Sequence, residues 1–226
     1  MTRKVVLTED GSNSIFSEEF NQNYHSRFGA LQESMHIFIK AGLCSSLLLN
    51  LESISILEIG FGTGLNALLT YFKAKELNKK IYYETLELYP LTLQETAALN
   101  YPHLLPYPNA KEIFTTLHTA KWEQQVKISD SFTLSKRHTS AINANYSPNR
   151  FHLVYFDAFS PEMQPELWTK EVFSSIYESM KDESLLMTYC TKGIVKQTLS
   201  ALGFKIEKLS GPIGKREILR ALICSL

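Results

Sequence analysis

The sequence predicts an α/β fold, a mostly parallel sheet covered by helices, on three observations. Ile54, Ile56, Leu57 and Ile59 form a short apolar run of buried-strand type, followed by Leu65, Leu68, Leu69 and Phe72 at the i, i+3, i+4, i+7 spacing of one helix face. Between them, Gly60-Phe61-Gly62-Thr63-Gly64 makes a glycine-rich turn from strand to helix. Downstream, Phe151-His152-Leu153-Val154-Tyr155-Phe156 is a second strongly apolar run that ends at an acid, Asp157. Strands alternating with helices in this way build parallel sheets.

Taken in order, Val5-Val6-Leu7 and Ser14-Ile15-Phe16 flank Asp10-Gly11 and read as a hairpin. Residues 31–49 read as helical, with Leu31, Met35, Phe38 and Ile39 on one face and Gly42 as an interruption or cap. Strand 54–59, helix 64–77, strand 81–88 and a helix from Leu91 to Asn100 then alternate. Pro102, Pro106 and Pro108 break the next stretch, leaving helical character over 112–121. Gln125–Ile128 and Phe132–Ser135 flank Ser129-Asp130-Ser131 as a second hairpin. Strand 151–156, helix 165–180, strand 184–190, helix 191–202, strand 204–209 and a last strand over 217–224 complete the set. One core is expected for 226 residues, with 1–50 an N-terminal hairpin and helix extension packed on a core of 51–226.

Composition excludes several classes. Hydrophobic residues make up 44% and charged residues 20%, a globular balance, and no apolar run approaches the roughly 20 residues that cross a bilayer. The start, Met1-Thr2-Arg3-Lys4, lacks the apolar core of a signal peptide. Cys44, Cys190 and Cys224 are odd in number and widely spaced, which fits reduced cytoplasmic thiols and argues against a metal site. With 23 basic and 23 acidic side chains the chain is no general polyanion binder. Lys192, Lys196, Lys205, Lys208, Lys215, Arg216 and Arg220 nevertheless outnumber Glu207 and Glu217 at the C-terminal end, so this edge either meets a nucleic acid or is a solvated face.

Ligands of open α/β sheets lie beyond the carboxyl ends of the strands. Three candidates end there: the turn Gly60–Gly64, Glu87 at the end of the second strand, and Asp157 in Asp157-Ala158-Phe159-Ser160-Pro161. The spacing Gly-x-Gly-x-Gly, rather than the Gly-x-Gly-x-x-Gly of dinucleotide folds, favours S-adenosylmethionine (SAM) over NAD. Such a turn also occurs for packing alone. Glu87 stands where an acid takes hydrogen bonds from both ribose hydroxyls, or is a solvated strand-end carboxylate. Asp157 either orients and deprotonates an amine or caps a helix. Phe159 offers a ring to a base, though aromatic residues there and at Trp168 are more often core. The six histidines form no metal-binding array, and no nucleophile elbow is present.

Gly60-Phe61-Gly62-Thr63-Gly64-Leu65-Asn66, Asp157-Ala158-Phe159-Ser160-Pro161 and Pro165-Glu166-Leu167-Trp168 closely resemble the MnmC-like tRNA 5-methylaminomethyl-2-thiouridine methyltransferase family, which includes standalone MnmD proteins. Tyr24-His25-Ser26, Gly29–Ser34, His36–Ile39, Glu87–Thr92 and Gly211–Glu217 add to the match, in the family's order over nearly the whole chain. The resemblance implies a Rossmann-like class I SAM-dependent methyltransferase: a mostly parallel seven-stranded sheet with an N-terminal hairpin extension. It implies methyl transfer from SAM to the exocyclic amine of 5-aminomethyl-(2-thio)uridine at the tRNA wobble position. By the same resemblance Gly60, Gly62 and Gly64, with Glu58 and Asn66 in the same block, hold SAM, Glu87 takes the ribose, and Glu33 approaches the methionine end. Asp157 faces the substrate amine, with Phe159 and Pro161 on the substrate side. Lys215 and Arg216 contact RNA or form a last-strand turn. The family often carries Gly-Asp after the third strand, the acid contacting adenine, whereas this chain reads Lys136-Arg137-His138-Thr139-Ser140, so Thr139 or Ser140 is expected to take that place. The implied partners are SAM and tRNA, with no FAD, metal or membrane, and with a separately encoded oxidase upstream. Two rival readings remain: an aminopropyltransferase using decarboxylated SAM, and a SAM- and RNA-binding protein without turnover.

Overall fold

The computed structural model describes residues 2–224; residue 1 and residues 225–226, the outer ends of the two expected segments, lie outside the described residues. Strands β1 (Arg3–Leu7), β2 (Asn13–Ser17) and β3 (Gln22–Asn23) form a small antiparallel sheet. The expected hairpin is there: Gly11, at φ 82°, turns the chain, and Thr8 N–H donates to Ser12 O at 2.9 Å. The short strand β3 is an addition to the expected pair. Helix α1 (Ala30–Ser34) runs on in wider π geometry over Met35–Leu43, before α2 (Ser46–Leu49). The helical run breaks at Cys44–Ser45, just past Gly42, which packs tightly, since a Cβ there would meet the Met187 side chain at 3.1 Å.

The remaining strands are β4 (Ser53–Ile59), β5 (Lys80–Leu86), β6 (Gln125–Ser129), β7 (Phe132–Arg137), β8 (Phe151–Phe156), β9 (Met180–Thr188), β10 (Lys205–Ser210) and β11 (Glu217–Ile223). The helices between them are α3 (Leu65–Glu76), α4 (Leu93–Ala97), α5 (Tyr101–Leu104), α6 (Ala110–Thr119), α7 (Lys170–Ser179) and α8 (Gly193–Ala201). Eight strands, not the expected seven, form one sheet in the order β10-β11-β9-β8-β4-β5-β7-β6. The extra strand follows from the turn at Ser129–Ser131, which folds β6 back antiparallel along the edge of β7. Five neighbouring strands, β9, β8, β4, β5 and β7, run parallel. The expected helix at 165–180 begins as a single 3₁₀ turn, Pro165–Leu167, and becomes α-helical only after Thr169, whose side chain caps it. The helix expected over 91–100 shortens to α4, which is started by a capping box between Thr92 and Glu95, and α5 is a further turn that begins at Tyr101 and takes Pro102 into its first positions.

The two faces of the sheet bury separate cores. One packs Phe38, Leu68, Tyr83, Tyr155 and Met187 beneath α3, α6 and the π segment; the other packs Leu57, Phe156, Trp168, Phe173 and Leu219 beneath α7 and α8. The N-terminal sheet is tied to the carboxyl rim of the large one. Arg3 donates to the carbonyls of Tyr89 and Pro90, and Asn100 Oδ1 accepts from Asn13 N–H at 2.7 Å. Among the described residues no helix is long and apolar enough to cross a membrane.

Candidate active site

Strand β4 delivers its last residue to the turn 60–64, and the turn has to pass within touching distance of the segment after β8. Gly60 sits at φ 92°, and a Cβ on it would lie 2.8 Å from Asp157 O. Asp157 N–H in turn donates to Ile59 O at 3.0 Å. The glycine loop and Asp157 therefore share one rim of the sheet, side by side, because β4 and β8 are adjacent parallel strands in matched register. Gly62, at φ 49°, presses on the Tyr24 ring, which a Cβ would approach to 3.1 Å. Its N–H donates to Glu87 Oε2 at 2.8 Å, while Glu87 Oε1 accepts from Tyr89 N–H at 2.8 Å. Each Glu87 oxygen keeps a further lone pair, enough for a pair of ribose hydroxyls.

A cleft of about 330 Å³ opens at this rim. Of the residues singled out in the sequence, Glu33, Gly60, Gly62, Asn66, Glu87, Thr139, Ser140, Asp157, Phe159 and Lys215 line it. Four do not. Glu58 lies fully buried under the floor, Gly64 starts α3 against His118, Pro161 stands beyond the lining, and Arg216 is exposed. Thr139 and Ser140 form part of the cleft wall after β7.

Burial pushes the Asp157 carboxyl up to about 7; Glu33 adds to the rise, and Asn66 and Lys215 oppose it. Asn66 Nδ2 donates to Asp157 Oδ2 at 2.8 Å. Lys215, from the turn between β10 and β11, reaches into the cleft: its ammonium lies 3.1 Å from Glu33 Oε1 and 4.5 Å from the centre of the Tyr189 ring. Glu33 Oε2 accepts from Ser26 N–H at 2.8 Å. The rest of the C-terminal basic excess is largely paired as well: Arg220 with Glu207 at 2.7 Å, Lys208 with Glu217 at 3.1 Å, and Lys192 with Glu162.

The segment after Asp157 is clamped from three sides. Trp168 Nε1 donates to Phe159 O at 2.8 Å, Tyr189 OH donates to Ala158 O at 2.9 Å, and Ser160 N–H donates to Gln22 Oε1 at 3.2 Å. Phe159 stacks on Phe20 at 4.4 Å. The site thus uses Phe20, Gln22, Tyr24, His25 and Tyr189, which the sequence reading did not assign to it; the only signal was the block Tyr24-His25-Ser26. Two neutral histidines brace the glycine loop. Burial holds His25 down to about 4, with Nε2 at 3.4 Å from Thr63 Oγ1; burial and Lys136 hold His118 down to about 4, with Nε2 at 3.1 Å from Thr63 O.

SAM fits these residues. Gly60, Gly62 and Glu87 line the same cleft as Asp157, and Glu87 offers lone pairs to a ribose. Among the described residues no group of three or more His, Cys, Asp or Glu side chains stands together to hold a metal.

Comparison with known proteins agrees with this geometry. A family described as S-adenosyl-L-methionine-dependent methyltransferase matches residues 102–223. The tRNA 5-methylaminomethyl-2-thiouridine biosynthesis bifunctional protein MnmC of Nitrosospira multiformis is 28% identical over 214 residues, covering 91% of this chain and 35% of that protein. The protein of the same name from Leptospira interrogans is 29% identical, covering 95% of this chain and 34% of that protein. The chain thus spans about a third of the length of these relatives. The crystal structure of MNMC2 from Aquifex aeolicus superposes with a TM-score of 0.80 at 25% identity, over 100% of this chain and 71% of that one. A Listeria monocytogenes structure titled as a putative S-adenosylmethionine-dependent methyltransferase shares the fold, with a TM-score of 0.51 at 11% identity. With the matched segment covering more than half of its length, the chain belongs to the S-adenosyl-L-methionine-dependent methyltransferase family.

Proposed function

We propose that this protein methylates the exocyclic amine of 5-aminomethyl-(2-thio)uridine at the wobble position of tRNA, as a cytoplasmic counterpart of the MnmC methyltransferase region. The observation that carries this reading is the Asp157 carboxyl, pushed up to about 7, in the same cleft as the glycine loop and Glu87. SAM supplies a methyl on a sulfonium, already electrophilic, so the protein has to present a neutral amine and keep water out.

An aminomethyl group reaches the site as an ammonium. Asp157 is suited to accept its N–H and then hold its proton, because a carboxyl that titrates near neutrality is matched to that transfer. Asn66 occupies Oδ2, which leaves Oδ1 as the oxygen that takes the amine proton. Glu87 and the backbone of Gly60 and Gly62 fix the nucleoside end, and Phe159, held by Phe20 and Trp168, gives a flat apolar wall for a base. Clamping both partners, rather than proton transfer, supplies most of the acceleration. The aminomethyl group would be generated by a preceding reaction.

The test is transfer of labelled methyl from SAM to tRNA purified from cells that make aminomethyluridine and cannot methylate it. Label in the methylaminomethyl nucleoside is expected. No label, or activity only with decarboxylated SAM, would overturn the reading.

A further inference from the structure

The acid assigned to the ribose opens a segment that belongs to neither helix nor strand. Glu87–Leu91 joins β5 to the capping box of α4, and Glu87, Leu88 and Tyr89 line the cleft. Among the described residues, Leu88–Leu91 makes no backbone–backbone hydrogen bond, so its shape has to come from side chains. Three successive carbonyls are taken in this way. His138 Nε2, from the end of β7, donates to Leu88 O at 3.0 Å; Arg3, from β1, donates to Tyr89 O through Nη2 and to Pro90 O through Nη1 at 3.2 Å. Arg3 Nη1 also lies 3.3 Å from Glu95 Oε2, the capping-box acid, which supplies a counter-charge for a side chain only 6% exposed. A lysine could not span these acceptors, whereas the planar fork of a guanidinium does.

We propose that Arg3 and His138 are positioning residues for ribose recognition: together they fix the turn whose Tyr89 N–H orients the Glu87 carboxylate. The inference rests on the assignment of Glu87 to the ribose of SAM. Glu87 has two anchors, Gly62 N–H on Oε2 and Tyr89 N–H on Oε1, each at 2.8 Å. The first belongs to the glycine loop. The second is only as steady as the peptide between Leu88 and Tyr89, which His138 grips by its carbonyl, and as the two peptides after it, which Arg3 grips by theirs. With both grips in place the free lone pairs of Glu87 point in one direction before a ligand arrives, and a ligand then meets a carboxylate that needs no ordering. The small N-terminal sheet thereby shapes the cofactor end of the cleft as well as the substrate side.

Calorimetry with S-adenosylhomocysteine and its 2′-deoxy counterpart tests this, because a merely architectural role would cost stability and leave the preference between the two ligands untouched. In the parent the missing hydroxyl should cost about tenfold or more in affinity, and in E87A the two ligands should bind within about twofold of each other. R3M should reduce the parent's preference to about threefold or less. It should add little once Glu87 is gone, so R3M/E87A should bind S-adenosylhomocysteine within about twofold of E87A. His138 is exposed, so H138A carries the same test if R3M does not fold, with the preference falling in the same direction. An unchanged preference in R3M, or in H138A where R3M does not fold, overturns the proposal. So does full additivity of R3M with E87A. A parent that binds both ligands equally removes Glu87 from the ribose, and the proposal with it. None of these readouts uses tRNA, so failure of the methylation assay would leave this result standing.

Discussion

Asp157→Asn isolates the cost of keeping a carboxylate at this rim. The native carboxyl titrates near 7 against an ordinary 3.8, about three pH units of upward shift. At 1.36 kcal/mol per unit this is at most about 4 kcal/mol, and since the cleft admits water to Asp157 we expect on the order of 1–3 kcal/mol. For an acid whose folded value is raised, the stabilisation is complete below the unfolded pKa and lost as pH climbs through the folded one. The loss therefore runs from about pH 4 to about pH 7, and it is native Asp157 that suffers it. The asparagine variant keeps the contact to Asn66 without the charge, so it should match the parent in stability near pH 4 and exceed it by about 1–3 kcal/mol at about pH 8.5. Urea unfolding at both pH values measures the difference, and the same variant should lose methyl transfer by about 10²–10⁴-fold. An equal offset at both pH values would show that Asp157 is not held up in the native state, and would remove the argument for its role as base.

Two further substitutions test the rest of the rim. Glu33→Gln and Lys215→Met should move the Asp157 midpoint in opposite directions, down and up respectively, because Glu33 raises and Lys215 lowers its pKa; carboxyl titration by infrared or NMR reads the sign, and parallel shifts would break the electrostatic account. Gly60→Ala places a methyl 2.8 Å from Asp157 O at a φ of 92°, so it should destabilise the fold by about 1–3 kcal/mol and weaken SAM binding at least tenfold, measured by thermal unfolding and calorimetry; near-parental values for both would mean the loop has slack that the geometry denies.

What could be read from the chain follows from which forces are local. The strand–turn–helix from Ile54 to Phe72 and the run 151–156 are periodic, and adjacent parallel strands placed Gly60 beside Asp157 with little else needed. The eighth strand depended on how a hairpin docks at a sheet edge, which residue pattern alone does not specify. The charge pattern left two readings open at the C-terminal edge. Lys215 sits in a basic stretch and invites a phosphate reading, yet its ammonium turns inward to Glu33, 182 positions away in the chain, because the β10–β11 turn packs against α1. Gln32 Nε2 donates to Ile213 O at 3.2 Å, and Gly214 lies so close to the Phe28 ring that no side chain fits. This docking also explains why the N-terminal sheet belongs to the site. The N-terminal segment supplies Glu33 of α1 to tune Asp157, Tyr24 and His25 to brace the glycine loop, and Gln22 to hold the segment after Asp157, three tasks that a 60–64 motif and a strand-end acid cannot perform for themselves.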